Sequence, residues 1–159
     1  MDDRLILRYA LLHNYFPGAK LPTANITPIF TKFAGLDVIY TGIASISLRT
    51  RDYRQHFEGN NAGRSTLRKS LGVLFGYQQI ARDKVQSNNK TKFHPQDELK
   101  LSEWMRINLI MFAFPGENYI AVEKQLINYF NPPLNLKGNK NPVNSAFRQI
   151  VSSYRNNSR

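Results

Sequence analysis

Glu123 is the side chain whose placement most plainly asks for chemistry. Along the stretch 117–130, Tyr119, Val122, Leu126, Ile127 and Phe130 recur at three- and four-residue steps, the apolar stripe of an amphipathic helix. Glu123 falls inside that stripe. A carboxylate turned towards a core is costly unless it is ion-paired, hydrogen-bonded or bound to a cation. It therefore asks either for one of the many arginines or for a hard cation such as Mg²⁺, which prefers carboxylate oxygen. Asn135 follows within Asn131-Pro132-Pro133-Leu134-Asn135, where the two prolines stiffen the returning chain. An asparagine after prolines is ordinarily a turn residue, but its spacing from Glu123 makes it a second candidate for the same site. Cysteine is absent, and His13, His56 and His94 lie far apart. Thiolate zinc sites, disulfides and thiol nucleophiles are thereby excluded, and a metal must rest on carboxylates.

The charge balance points to the partner. In 159 residues, 22 Lys and Arg stand against 11 Asp and Glu, a net charge of +11. Such an excess attracts a polyanion, nucleic acid foremost. A membrane partner would call for a long apolar span or one strongly basic amphipathic helix. Here the positive charges are scattered from Arg4 to Arg159, so no membrane association is expected. The start Met1-Asp2-Asp3-Arg4 lacks the basic and apolar stretch of a secretory signal, which makes the cytoplasm the expected location.

The elements that must position these residues are legible in outline. Leu5, Tyr9 and Leu12 at helical spacing predict a helical N-terminal arm within residues 1–24 that ends before Pro17-Gly18. Residues 26–33 and 37–42 are β-branched and aromatic, predicting two paired strands about a turn at Gly35-Leu36. Residues 47–57 look helical, and a second, basic helix begins near Ser65, with Ser65 or Thr66 as its cap. The polar stretch 82–98 reads as a surface loop, after which Ser102 opens a helix. Leu109 to Phe114 is a short apolar run stopped by Pro115-Gly116, predicting a third, buried strand. Helices are expected at 117–130 and 143–154, the latter within a C-terminal segment 139–159. The fold expected is α/β (α+β), one domain, with a small three-stranded antiparallel sheet flanked by helices.

An ordered set of residues then carries a resemblance: Val38-Ile39-Tyr40-Thr41-Gly42, Leu48-Arg49-Thr50-Arg51, His56-Phe57, Glu123 with Leu126-Ile127, and Pro132-Pro133-Leu134-Asn135. Together they resemble the GIY-YIG nuclease superfamily over roughly residues 26–138. The stretch from Gly63 to Gly72 and the helix carrying Glu103-Trp104-Met105 are similar to stand-alone bacterial members. The resemblance implies a metal-dependent DNA endonuclease. It gives Tyr40 a hydroxyl near the attacking water and Gly42 close backbone approach to the phosphate. It gives Arg51 the neutralisation of charge on the phosphoryl group, for which a guanidinium fork is suited. Glu123 would hold a single Mg²⁺ (or Mn²⁺) ion, and Asn135 would hydrogen-bond near it. Apart from the resemblance, Arg64, Arg68 and Lys69, on or near the start of the basic helix, are expected to bind the DNA backbone, although a merely solvated face would look the same.

Two departures qualify the assignment. Where the family carries its first-motif tyrosine this chain has Phe30, and no tyrosine lies between Tyr15 and Tyr40. A phenyl ring neither accepts nor relays a proton. Histidine is the side chain whose ordinary pKa lies near neutral, which makes His56 the candidate base in its stead, with a phosphate-contacting or core-edge histidine as the alternative. His56 also lies one residue further from Arg51 than the resemblance implies, so Arg49 is a second candidate for the catalytic arginine and otherwise a nucleic-acid contact. Cutting both strands would require a homodimer or a partner, whereas nicking requires neither. Two rival functions stand beside the nuclease: a DNA-binding protein of the same fold that has lost turnover, and a basic RNA-binding protein, which would leave Glu123 without a role.

Overall fold

A computed structural model describes residues 26–43, 56–57, 62–82, 90–114 and 118–156, together with the backbone of residues 7–12. The described residues form six strands, β1 (Leu7–Leu12), β2 (Lys32–Phe33), β3 (Leu36–Ile43), β4 (Gln79–Ala81), β5 (Thr91–Phe93) and β6 (Leu109–Phe114). The helices are α1 (Thr66–Leu74), α2 (Pro95–Asn108), α3 (Tyr119–Phe130) and α4 (Ser145–Asn156). The mixed α/β character is as expected. The main sheet, however, has four strands in the order β2-β3-β1-β6 rather than three, and β4 and β5 form a separate hairpin.

The added strand is β1, which pairs antiparallel with β3 on one edge and β6 on the other. This corrects the helical arm expected at the N-terminus: Leu7–Leu12 lies at the middle of the sheet, and pairing on both edges outweighs a helical spacing of three side chains. The rest of that arm lies outside the described residues.

β2 and β3 form a tight hairpin. Its two turn residues are Ala34 and Gly35, both at positive φ (50° and 79°), the backbone of a two-residue turn whose twist matches that of the strands. Lys32 Nζ and Asp37 Oδ1 close it at 2.8 Å. Further along β3, Ala10 pairs with Tyr40 but Leu11 pairs with Val38, so Ile39 is the extra residue of a β-bulge. The bulge explains why Val38 and Ile39 are both fully buried. Val38 joins Phe130 and the half-buried Val122 and Leu126 of α3. Ile39 joins Leu67 and Leu71 of α1, Leu101 and Met105 of α2, and Phe147 and Val151 of α4. The sheet is thus covered by α3 on one face and by the other three helices on the opposite one.

Helix boundaries follow local chemistry. Ser65 caps α1, its hydroxyl accepting from the Arg68 N–H, as expected. α2 starts seven residues before the predicted Ser102, with Pro95 in its first turn followed by Asp97 and Glu98, features suited to a helix N-terminus. α3 ends at Asn131, held in the left-handed conformation, and Pro132-Pro133 prevents its continuation. No described helix is long and apolar enough to cross a membrane.

Candidate active site

The segment after α3 is attached to β3 where β2 stops. The Leu134 N–H donates to the Ile39 carbonyl at 3.0 Å. The Asn135 side chain then treats Thr41 as a neighbouring strand would. Its Oδ1 accepts from the Thr41 N–H and its Nδ2 donates to the Thr41 carbonyl, both at 2.8 Å. Asn135 is buried and its amide is occupied, so it positions β3 between Tyr40 and Gly42. Nothing in this geometry leaves its amide directed at a metal.

The docking leaves a cavity of about 550 Å³, lined by Tyr40 of β3, Glu123 and Ile127 of α3, and Asn135. Three of the residues singled out in the sequence therefore meet, although they lie far apart along the chain. Glu123 is only partly buried, one turn from the buried Ile127: it faces the cavity wall, and the core-facing stripe runs through Val122, Leu126, Ile127 and Phe130. Lys124, Lys137 and Lys140 complete the rim and are exposed. These lysines were missed in the sequence, where they are three among many. The signal available was that Lys137 and Lys140 directly follow the segment that returns to Glu123.

Tyr40 is half-buried, and its ring folds back over Gly42. A Cβ on Gly42 would stand 3.0 Å from Tyr40 Cε1 and 3.4 Å from its hydroxyl oxygen. Gly42 is buried, and the space a side chain would take there is filled by the tyrosine ring.

His56 is also buried. Its ring lies edge-on to Tyr40 at a centroid distance of 6.3 Å, and its Nδ1 is hydrogen-bonded to the Ser65 hydroxyl. The His56 carbonyl accepts from Arg68 Nη1 at 2.7 Å.

Arg68 was expected to touch DNA, and here the structure corrects the reading. Its side chain is 0% exposed and forms an ion pair with the equally buried Glu98. Arg68 Nε and Nη2 donate to Glu98 Oε2 at 3.1 and 2.6 Å, and Nη1 also reaches the Ser102 hydroxyl at 3.0 Å. Glu98 Oε1 accepts from the Ala62 N–H at 2.9 Å. Desolvation lowers the arginine pKa, opposed by its hydrogen bond and charge interaction with Glu98. A guanidinium enclosed in this way cannot reach a phosphate; it ties His56, the turn before α1, and α2 together.

Arg64 is exposed and Lys69 half-buried, beside a second, smaller cavity. Arg49, Arg51 and most of the helix expected at 47–57 lie outside the described residues. Phe30 is half-buried and packs against the core of α1, α2 and α4. Its neighbour Ile29 is held through its own N–H and carbonyl by the Asn144 amide, at 2.9 and 2.8 Å. Among the described residues no group of three or more His, Asp or Glu forms a metal cluster.

A family model described as the GIY-YIG catalytic domain matches residues 9–157. No curated protein and no solved structure matches the chain.

Proposed function

Since the chain belongs to the GIY-YIG catalytic-domain family, which is nuclease in type, we propose that it hydrolyses DNA phosphodiester bonds by in-line attack of water in the cavity between β3 and α3. The observation that carries this reading is the convergence of Tyr40, Glu123 and Asn135 on one cavity rimmed by lysines. The net charge of +11 favours a polyanionic substrate.

The donor set suits a divalent ion bound through one carboxylate. Mg²⁺ commonly keeps several waters and is held by one or two carboxylates together with substrate phosphate, and Glu123 offers such a carboxylate on an open cavity. Glu123 would hold Mg²⁺ or Mn²⁺, which when bound supplies charge neutralisation for the phosphoryl oxygens and the leaving 3′ oxygen.

The chain's own groups do the rest. Tyr40 presents a phenol at the cavity wall to orient the attacking water. Its ring is held by the close fit over Gly42 and by Asn135 gripping the next residue. His56, whose ring is hydrogen-bonded to Ser65 and lies edge-on to Tyr40, is the candidate base in place of Phe30. Lys124, Lys137 and Lys140 draw the phosphate backbone to the rim. Arg51 or Arg49 supplies the guanidinium that opposes charge on the phosphoryl group. One cavity of this kind cuts one strand, so double-strand cleavage requires a homodimer or a partner, whereas nicking requires neither.

Phe30 favours a second reading, a DNA-binding protein of the same fold without turnover. One experiment separates the two. Supercoiled plasmid is incubated with wild type and Glu123→Ala in Mg²⁺, Mn²⁺ or chelator. Nicking or linearisation by the wild type with metal alone, and a loss of at least about 100-fold in Glu123→Ala, is expected. Binding without cleavage by both proteins overturns the catalytic reading and leaves the second.

A further inference from the structure

Next to the candidate active site lies a cavity of about 210 Å³ with a different chemistry. Four cationic residues line it, Arg64, Lys69, Lys90 and Arg155, and no carboxylate does among the described residues. They arrive from four places in the chain: the turn before α1, α1 itself, the approach to β5, and the last turn of α4. A solvated basic face spreads its cations over a convex surface, whereas these converge on a concavity. Lys69 and Arg155 are half-buried, so part of their hydration is lost. Burial, and then the charge of Arg155, hold the Lys69 ammonium below the ordinary lysine range. Burial lowers Arg155 likewise. The nearby buried carboxylate, Glu98, is already engaged by Arg68. Like charges brought together in a partly desolvated hollow destabilise the fold, and an anion seated among them relieves the repulsion.

The position of the cavity narrows the anion. Thr66 lines both cavities, so the two hollows are adjacent. We propose that the smaller cavity is a phosphate subsite in which Lys69, Arg155 and Arg64 grip a backbone phosphodiester of the substrate strand beside the one cleaved. A guanidinium fork with an ammonium is the donor set for such a group. This rests on the nuclease reading and deepens it: the substrate is a polynucleotide long enough to occupy both cavities, and the second phosphate sets its register over Glu123.

The test measures binding in chelator, where no cleavage intervenes. Fluorescence anisotropy with short single-stranded and duplex DNA, over a range of salt, compares wild type with Lys69→Gln, Arg155→Gln and the double variant. Lys100→Gln, at an exposed lysine of α2, is the control, and Lys69→Arg preserves the charge. The two Gln variants are expected to weaken binding several-fold, independently of sequence, and each to flatten the salt dependence by about one phosphate contact. Lys69→Arg is expected to retain affinity, and thermal unfolding identifies any variant that has failed to fold. Affinities and slopes equal to those of Lys100→Gln overturn the proposal. So does inorganic phosphate that binds the wild type in a Lys69-dependent way without competing with DNA, since the anion would then be free phosphate. The plasmid assay reports on the nuclease reading separately, so either conclusion can fail while the other stands.

Discussion

Removing Glu98 should unfold the site from behind. Arg68 and Glu98 are essentially inaccessible to solvent and 2.6 Å apart. Glu98→Leu therefore strands a guanidinium in the core, a change that typically costs about 3–5 kcal/mol. For a chain of this size each kcal/mol shifts Tm by roughly 2–4 °C, so a fall of roughly 6–20 °C is expected. Arg68→Met should cost a comparable amount by stranding the carboxylate. The double variant removes both charges and should regain at least about 2 kcal/mol over either single one. A deficit of about 1–3 kcal/mol should remain, because the Ala62 N–H and the His56 carbonyl lose their partners. Those two groups hold the segments that carry His56 and Ser65, so DNA cleavage should stay depressed in the double variant even as stability returns. The assays are thermal unfolding and plasmid cleavage on the same preparations. A single-variant loss below about 1 kcal/mol, or a double variant no more stable than the singles, would refute the buried ion pair. Full recovery of cleavage would refute its positioning role.

Three further outcomes are expected. Gly42→Ala puts a Cβ 3.0 Å from the Tyr40 ring, and displacing the phenol should slow single-turnover cleavage by about tenfold or more; an unchanged rate would mean that the ring position is immaterial. Ala34 sits at φ 50°, a strain of roughly 1–2 kcal/mol for an L-residue other than asparagine or aspartate, so Ala34→Asn should raise Tm by a few degrees, and a fall would contradict the assigned turn. Lys69 has its pKa lowered in the folded chain, by burial and by Arg155. The unfolded state then holds more protons just below the ordinary lysine pKa, so stability rises with pH across that window. The rise should be smaller in Lys69→Gln, and parallel Tm curves from about pH 8 to about pH 10 would exclude it.

What was legible in the sequence follows from which forces are local. Tyr40 and Glu123 stood out because a strand and an amphipathic helix announce their own periods, and β6 and α3 were placed within a residue or two for the same reason. The α2 start was hidden. Its buried positions Glu98, Leu101, Ser102, Met105 and, just beyond the helix, Leu109 fall at helical spacing, yet two of the five are polar. A hydrophobic pattern cannot reveal a stripe completed by an ion pair. Arg68 was misassigned by the same blindness: its partner lies thirty residues away, and a basic residue near a helix start looks alike whether it meets DNA or Glu98. β1 failed differently, since a strand paired on both edges owes its conformation to β3 and β6 rather than to its own spacing.

The site itself depends on side chains that imitate backbone. Asn135 satisfies both the N–H and the carbonyl of Thr41 across 94 residues, and Asn144 does the same for Ile29 across 115. Each amide supplies one acceptor and one donor, the pair that a neighbouring strand residue would present. Aspartate could supply only the acceptor and would set a carboxylate against a carbonyl oxygen; leucine could supply neither and would leave two buried backbone groups unsatisfied. The asparagine in Pro132-Pro133-Leu134-Asn135 is therefore explained by the edge that β2 leaves vacant at Thr41. Through that edge, the segment following the Glu123 helix is fastened to the strand that carries Tyr40. The cavity consequently exists only when contacts distant in sequence have formed, which is why no local pattern could display it whole.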